Sequence, residues 1–297
     1  MKVSANGVQI EAEDHGPRTG EPLLLIMGLG MQLIAWPDDL VRQFVARGFR
    51  VIRFDNRDSG LSQGFDELGT PNLALAGIRH MFGVPARPPY TLVDMADDSL
   101  ALLDALDIAS AHVCGASMGG MIAQHIALRQ PERVRSLTLM MTHSGSRSLP
   151  QPSLRVRQAM MARPHNPRDI DGLLAYYRNL YALIGSPGFR PSAEAMDRRL
   201  RVSLARAYRP RGMARQLTAI MADGDRSTLL ARITAPTQVI HGAADPLVPV
   251  AAGHDLVRKI PGAHIDVIDG MGHDLPQELW PRFVADVAEV AGRTRAA

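Results

Sequence analysis

The chain has 297 residues, of which 46% are hydrophobic and 21% charged, with a formal net charge of +3. This is enough apolar material for one large core, or for a core with an inserted subdomain. No apolar run approaches the roughly 18–20 residues of a membrane span, so none is expected. Residues 1–10 alternate polar and apolar like a strand and lack the features of a signal peptide. The single cysteine, Cys114, cannot form an internal disulfide and fits a reducing, cytoplasmic setting.

The next elements follow an alternating grammar. Residues 23–27 read as a strand buried on both faces, 38–47 as a helix and 51–54 as another strand. Residues 91–106 form a helical pattern, 112–114 a short strand, 121–128 a helix and 134–141 a further strand. Strands alternating with helices predict a mostly parallel α/β sheet flanked by helices. Residues 64–90, with four prolines and four glycines, fit only a short helix near 73–82 within a flap or surface excursion.

Between residues 145 and 225 no strand is legible. Helices are expected over 155–161, 170–183 and 192–209, broken by Pro150, Pro164, Pro187 and Pro210. The division is therefore a core of residues 1–144 and 226–297 with a helical cap at 145–225. The cap holds 14 arginines, no lysine and six carboxylates. Its arginines are dispersed, without an interleaved aromatic platform, so they read as solvated helix faces and not as a nucleic-acid surface. Strands return at 237–240 and 264–268, and a last helix is expected over 277–291.

The most informative feature lies at Cys114-Gly115-Ala116-Ser117-Met118-Gly119-Gly120, where a short apolar strand runs into a helix. A turn that sharp forces the serine into strained backbone angles, and it demands glycine where neighbouring backbone comes close. The hydroxyl is lifted to a helix N-terminus, where amides point outward. Gly60-Leu61-Ser62-Gln63-Gly64 fits the same Gly-x-Ser-x-Gly string, but neither flank offers a buried strand or a good helix. Ser117 is the candidate nucleophile and Ser62 is not.

A serine hydroxyl needs a base within hydrogen-bond reach and a carboxylate to fix the tautomer of that base. Asp245 stands in the loop after strand 237–240, followed by a proline. His273 stands in a glycine-flanked loop beyond the final strand. Both loops leave the strand edge where open parallel sheets bind ligands, in the order serine, acid, histidine. His143 and His241 are the rival bases, and Asp266, Asp269 and Asp274 the rival acids. A metal on His241, Asp245 and His273 matches no zinc spacing and leaves the serine unexplained. The oxyanion donors are expected to be the backbone N–H groups of Met118 and Leu29. A dinucleotide loop is rejected because position 33, where a third glycine would stand, is Leu33. Gly28, Trp36, His143 and Tyr181 are the candidate pocket residues.

With these residues placed, the sequence resembles α/β-hydrolase fold serine carboxylesterases, and within them the aclacinomycin methylesterase-like group. The likeness rests on Leu25-Ile26-Met27-Gly28 with Trp36-Pro37, and on the run from Arg53 to Ser62. Ser117-Met118-Gly119 and Gly270-Met271-Gly272-His273-Asp274-Leu275-Pro276 complete it. The resemblance implies a hydrolase of carboxylic esters that needs no cofactor or metal. Its partner would be a small-molecule ester; a monomer or homodimer is expected. It implies a structural role for the Asp55–Ser62 turn, tying down the loop beneath the site. Hydrolysis of a C–C bond or a lactone, and cofactor-free perhydrolysis, run on similar sites. A non-catalytic receptor of the same fold is the reading from another class. Haloalkane dehalogenases and epoxide hydrolases are set aside because they carry aspartate where this chain has Ser117.

Overall fold

A computed structural model describes residues 1–294 except 83, 85, 163, 165, 167 and 168. The chain opens with β1 (Lys2–Ala5), β2 (Val8–His15), β3 (Glu21–Ile26), α1 (Asp38–Ala46) and β4 (Phe49–Phe54). It continues with α2 (Leu73–Met81), α3 (Leu92–Ala105), β5 (Ala111–Ala116), α4 (Met118–Arg129) and β6 (Val134–Met140). Four helices follow: α5 (Leu154–Met161), α6 (Ile170–Ile184), α7 (Ala193–Arg206) and α8 (Pro210–Asp223). The chain ends with β7 (Thr237–Gly242), α9 (Ala251–Lys259), β8 (His264–Ile268) and α10 (Trp280–Arg293).

The eight strands form one sheet in the order β1-β2-β4-β3-β5-β6-β7-β8. β1 and β2 are antiparallel to their neighbours, and β3 to β8 run parallel. Side chains alternate across a strand, so β3 feeds two cores at once. Leu24 and Ile26 join the cluster under α3 and α4, while Leu23 and Leu25 join Phe44 of α1 and Phe283 of α10 on the other face. All four β3 residues are fully buried, each worth about 1.5–3 kcal/mol of hydrophobic burial. The chain leaves β3 for β4 on one side and returns to β5 on the other. The C-terminal ends of β3 and β5 therefore flank the crevice where such sheets hold ligands. Among the described residues no helix is long and apolar enough to cross a membrane.

Several elements differ from those expected. The alternating N-terminal run is not one strand but a hairpin, turned at Asn6 and Gly7 with φ of 51° and 73°; this pair suits a tight turn whose central residues both need positive φ. The helix expected over 192–209 ends at Arg206, and Pro210 opens α8, a helix the residue pattern did not reveal. Proline fits there because the first helical position has no intrahelical use for its missing N–H. The final helix begins at Trp280, after a 3₁₀ turn at Gln277–Leu279. Within 64–90 the expected helix is α2; residues 83 and 85 of that flap, and 163, 165, 167 and 168 of the expected cap, lie outside the described residues. Helices α5–α8 occupy the connection from β6 to β7.

Candidate active site

The turn from β5 into α4 places Ser117 at φ 55° and ψ −118°, a conformation that L-residues hold only when their surroundings impose it. The surroundings are backbone. A Cβ on Gly115 would overlap the carbonyl of Gly119, and one on Gly119 would overlap the carbonyl of Ile26 in β3. Ser117 N–H donates to Met140 O at 2.9 Å, and Thr142 Oγ1 donates to Ser117 O at 2.8 Å. The serine is thereby pinned between the ends of β3, β5 and β6.

His273 reaches this point from the loop after β8. Its Nε2 lies 3.0 Å from Ser117 Oγ, and its Nδ1 lies 2.7 Å from Asp245 Oδ2. Asp245, from the loop after β7, turns its other oxygen to the amides of Leu247 and Val248, each at 2.8 Å. The carboxylate only accepts, so the imidazole carries its proton on Nδ1 and offers the Nε2 lone pair to the serine hydroxyl. The histidine loop is held from outside the sheet. His273 N–H donates to Ile184 O at 2.8 Å, Gly272 N–H donates to Ser186 Oγ at 2.8 Å, and Ser186 Oγ donates to Asp274.

The loop after β3 meets the serine from the other side. A Cβ on Gly28 would lie 3.1 Å from Ser117 Cβ. Residues 28–31 form a turn, with Met31 N–H on Gly28 O at 3.1 Å and Gly30 at φ 66°. Among the described residues, neither Leu29 N–H nor Met118 N–H has a protein acceptor. Two unspent amides beside a nucleophile can receive an oxyanion.

Four of the five rivals, His143, His241, Asp266 and Asp274, are otherwise engaged. His241 is buried and directs Nε2 to Val248 O at 2.8 Å; burial above all pushes its imidazole below the usual range. Asp266 is taken by Arg282, and Asp274 by Ser186. His143 follows β6, and its Nδ1 accepts from Gly145 N–H at 2.9 Å. Burial first, then the Arg226 charge, push it down to about 4, which keeps it neutral near pH 7. Tyr181 on α6 donates to Met31 Sδ at 3.5 Å, and its ring lies 5.2 Å below the Arg199 guanidinium. Trp36, expected in the pocket, is instead a core residue: 1% exposed, it packs with Leu40 and Phe44 of α1 in the cluster beneath the sheet. Its ring is sunk by the 3₁₀ turn at Leu33–Ala35, a local bend that the sequence pattern did not disclose.

The turn from Asp55 to Ser62 ties down the loop after β3, as expected from the resemblance. Asp55 accepts from Leu33 N–H at 2.6 Å and from Leu61 N–H at 2.8 Å, and Asn56 Nδ2 donates to Met27 O at 3.0 Å. Arg57 forms a two-pronged pair with Asp98 at 2.6 Å. Burial would raise the Asp58 pKa, but Arg215 and Tyr90 hydrogen-bond the carboxylate and bring it below the ordinary range. Reasoning from residue patterns missed Ser186 and the buried polar face of α8. A serine after a helix and a glutamine within one carry no local signal.

Residues 21–278 match the family described as the alpha/beta hydrolase fold. The chain belongs to the α/β-hydrolase fold family. It is similar to a rhodomycin D methylesterase from Streptomyces sp. (strain C5), 30% identical over 99% of this chain and 98% of that one. A 2-hydroxymuconate semialdehyde hydrolase from Pseudomonas sp. (strain CF600) is 29% identical over 100% of this chain and 95% of its own length. A meta-cleavage product hydrolase from Pseudomonas fluorescens IP01 shares the fold. It superposes with a TM-score of 0.74 at 23% identity, covering 99% of this chain and 97% of that one.

Proposed function

We propose that the protein hydrolyses carboxylic esters through an acyl-enzyme on Ser117. The observation that carries this reading is the unbroken chain from Ser117 Oγ to His273 Nε2 at 3.0 Å and from His273 Nδ1 to Asp245 at 2.7 Å. Ser117 attacks the ester carbonyl as His273 Nε2 takes the hydroxyl proton, and Asp245 stabilises the imidazolium that forms. The carbonyl oxygen, now anionic, accepts from Leu29 N–H and Met118 N–H. Loss of one such donor costs about two to three orders of magnitude in turnover. The oxyanion collapses, and the alcohol leaves with the proton from Nε2. Water then gives a proton to Nε2 and attacks the acyl carbon, and as the acid departs Nε2 passes that proton to the serine oxygen, restoring both side chains. The ester class is supported by the similarity to the rhodomycin D methylesterase. Helices α5–α8, within residues 145–225, serve as the cap, with Gly28, His143 and Tyr181 at its junction with the core.

Purified protein should turn over p-nitrophenyl esters, and Ser117→Ala should reduce kcat by about six orders of magnitude while the thermal midpoint stays within a few degrees. Ester turnover retained in Ser117→Ala would refute the assignment. A second reading, C–C hydrolysis on the same residues, is favoured by the similarity to the semialdehyde hydrolase. A vinylogous diketone tested beside the esters separates the two.

A further inference from the structure

The turn that carries the proposed oxyanion donor is built from β3 but is gripped from α8, more than 180 residues later in the chain. Gly30 N–H donates to Gln216 Oε1 at 2.8 Å. Gln216 Nε2 donates in turn to Arg57 O at 2.7 Å and to Ser59 Oγ at 3.0 Å. The side chain is fully buried. Its orientation follows from its partners: Arg57 O can only accept and Gly30 N–H can only donate, so the oxygen must face the turn. One helical turn earlier on α8, Met213 covers Gly30, and a Cβ there would lie 2.9 Å from its Cγ. Asp55 takes the Leu33 amide and Gly28 O takes the Met31 amide. Leu29 N–H, in the same turn, has no protein acceptor among the described residues.

We infer that Gln216 is a positioning residue for the oxyanion turn, fixing the peptide that follows Leu29 so that the Leu29 amide is aimed before substrate arrives. A carboxamide is suited to this because it accepts at one end and donates at the other, tying the turn to the 55–62 segment through one rigid plane. No apolar or single-function side chain of that size does both. An aimed donor costs no reorganisation during the reaction, and a misplacement of about 1 Å can cost about a hundredfold in rate.

This inference rests on the reading of Leu29 as an oxyanion donor, and the test separates the two. The probes are an aryl ester and its thiono analogue, whose sulfur fits poorly between two amides set for oxygen. The ratio of their kcat/KM values is independent of how much of a preparation is folded. In Gln216→Met, kcat for the oxygen ester should fall about 10- to 100-fold, KM should stay within about twofold, and the oxo-to-thiono ratio should fall with kcat. Ser59→Ala, which leaves the carboxamide one anchor, should move the ratio the same way by about two- to fivefold. If Gln216→Met does not accumulate as folded protein, Ser59→Ala carries the test. An unchanged ratio in the folded variants overturns the role of Gln216, even if their stability falls. A native enzyme that loses activity in Ser117→Ala yet does not favour the oxygen ester overturns the oxyanion reading, and the role of Gln216 with it.

Discussion

Residues 115–119 and 60–64 spell the same Gly-x-Ser-x-Gly string and put it to opposite uses. Ser117 is held at φ 55° between a strand and a helix, with its hydroxyl on an imidazole at 3.0 Å. Ser62 is 1% exposed and wholly consumed by the fold: Oγ donates to Asp55 O at 2.6 Å and accepts from Glu11 N–H at 2.8 Å. The glycines differ in the same sense. Gly115 and Gly119 make room for crossing backbone, whereas Gly60, at φ 52°, makes room for the Asp55 carboxylate. The lesson is that the string specifies only close approach. What approaches, and whether the hydroxyl is left free, is decided by the strand before and the helix after.

The contrast can be pressed hardest through the partner that Ser117 has and Ser62 lacks. Asp245→Asn keeps the shape of the site but puts a donor where His273 needs an acceptor, which turns the imidazole to the wrong tautomer. The expected loss is about four orders of magnitude in kcat, read by steady-state ester hydrolysis, with little change in thermal midpoint. The smaller expected effect is at the other serine. Ser62→Ala leaves Asp55 O and Glu11 N–H short of a partner, and should cost about 1–3 kcal/mol of stability. Denaturant unfolding would measure that loss, while kcat should remain within a few-fold. A Ser62→Ala variant as inactive as Asp245→Asn would erase the distinction between the two strings.

Much of this arrangement is legible in the residues because its parts are local. A strand, a Gly-flanked serine and a helix lie within twenty residues, and the acid and base each stand at a strand end that the alternating pattern already places. The polar grip of the helical insertion is not legible in the same way. Gln216 meets Gly30 across 186 positions of chain, and within α8 it is an unremarked helix former. α9 is not legible either, because Gly253 interrupts its pattern. That glycine is there for His241, since a Cβ would lie 2.8 Å from its Nδ1. The N-terminal hairpin reads as one strand because Asn6 and Gly7 sit inside an otherwise regular alternation. Trp36 shows the reverse error: a large aromatic close to the site in sequence, drawn into the core by a turn of three residues.

The most direct test is to learn which serine is chemically awake. Native protein treated with a fluorophosphonate, digested and read by mass spectrometry should carry one adduct per chain, on Ser117, with activity lost in step with labelling. An adduct on Ser62 instead, or full ester turnover from protein that takes up no label, would contradict the account.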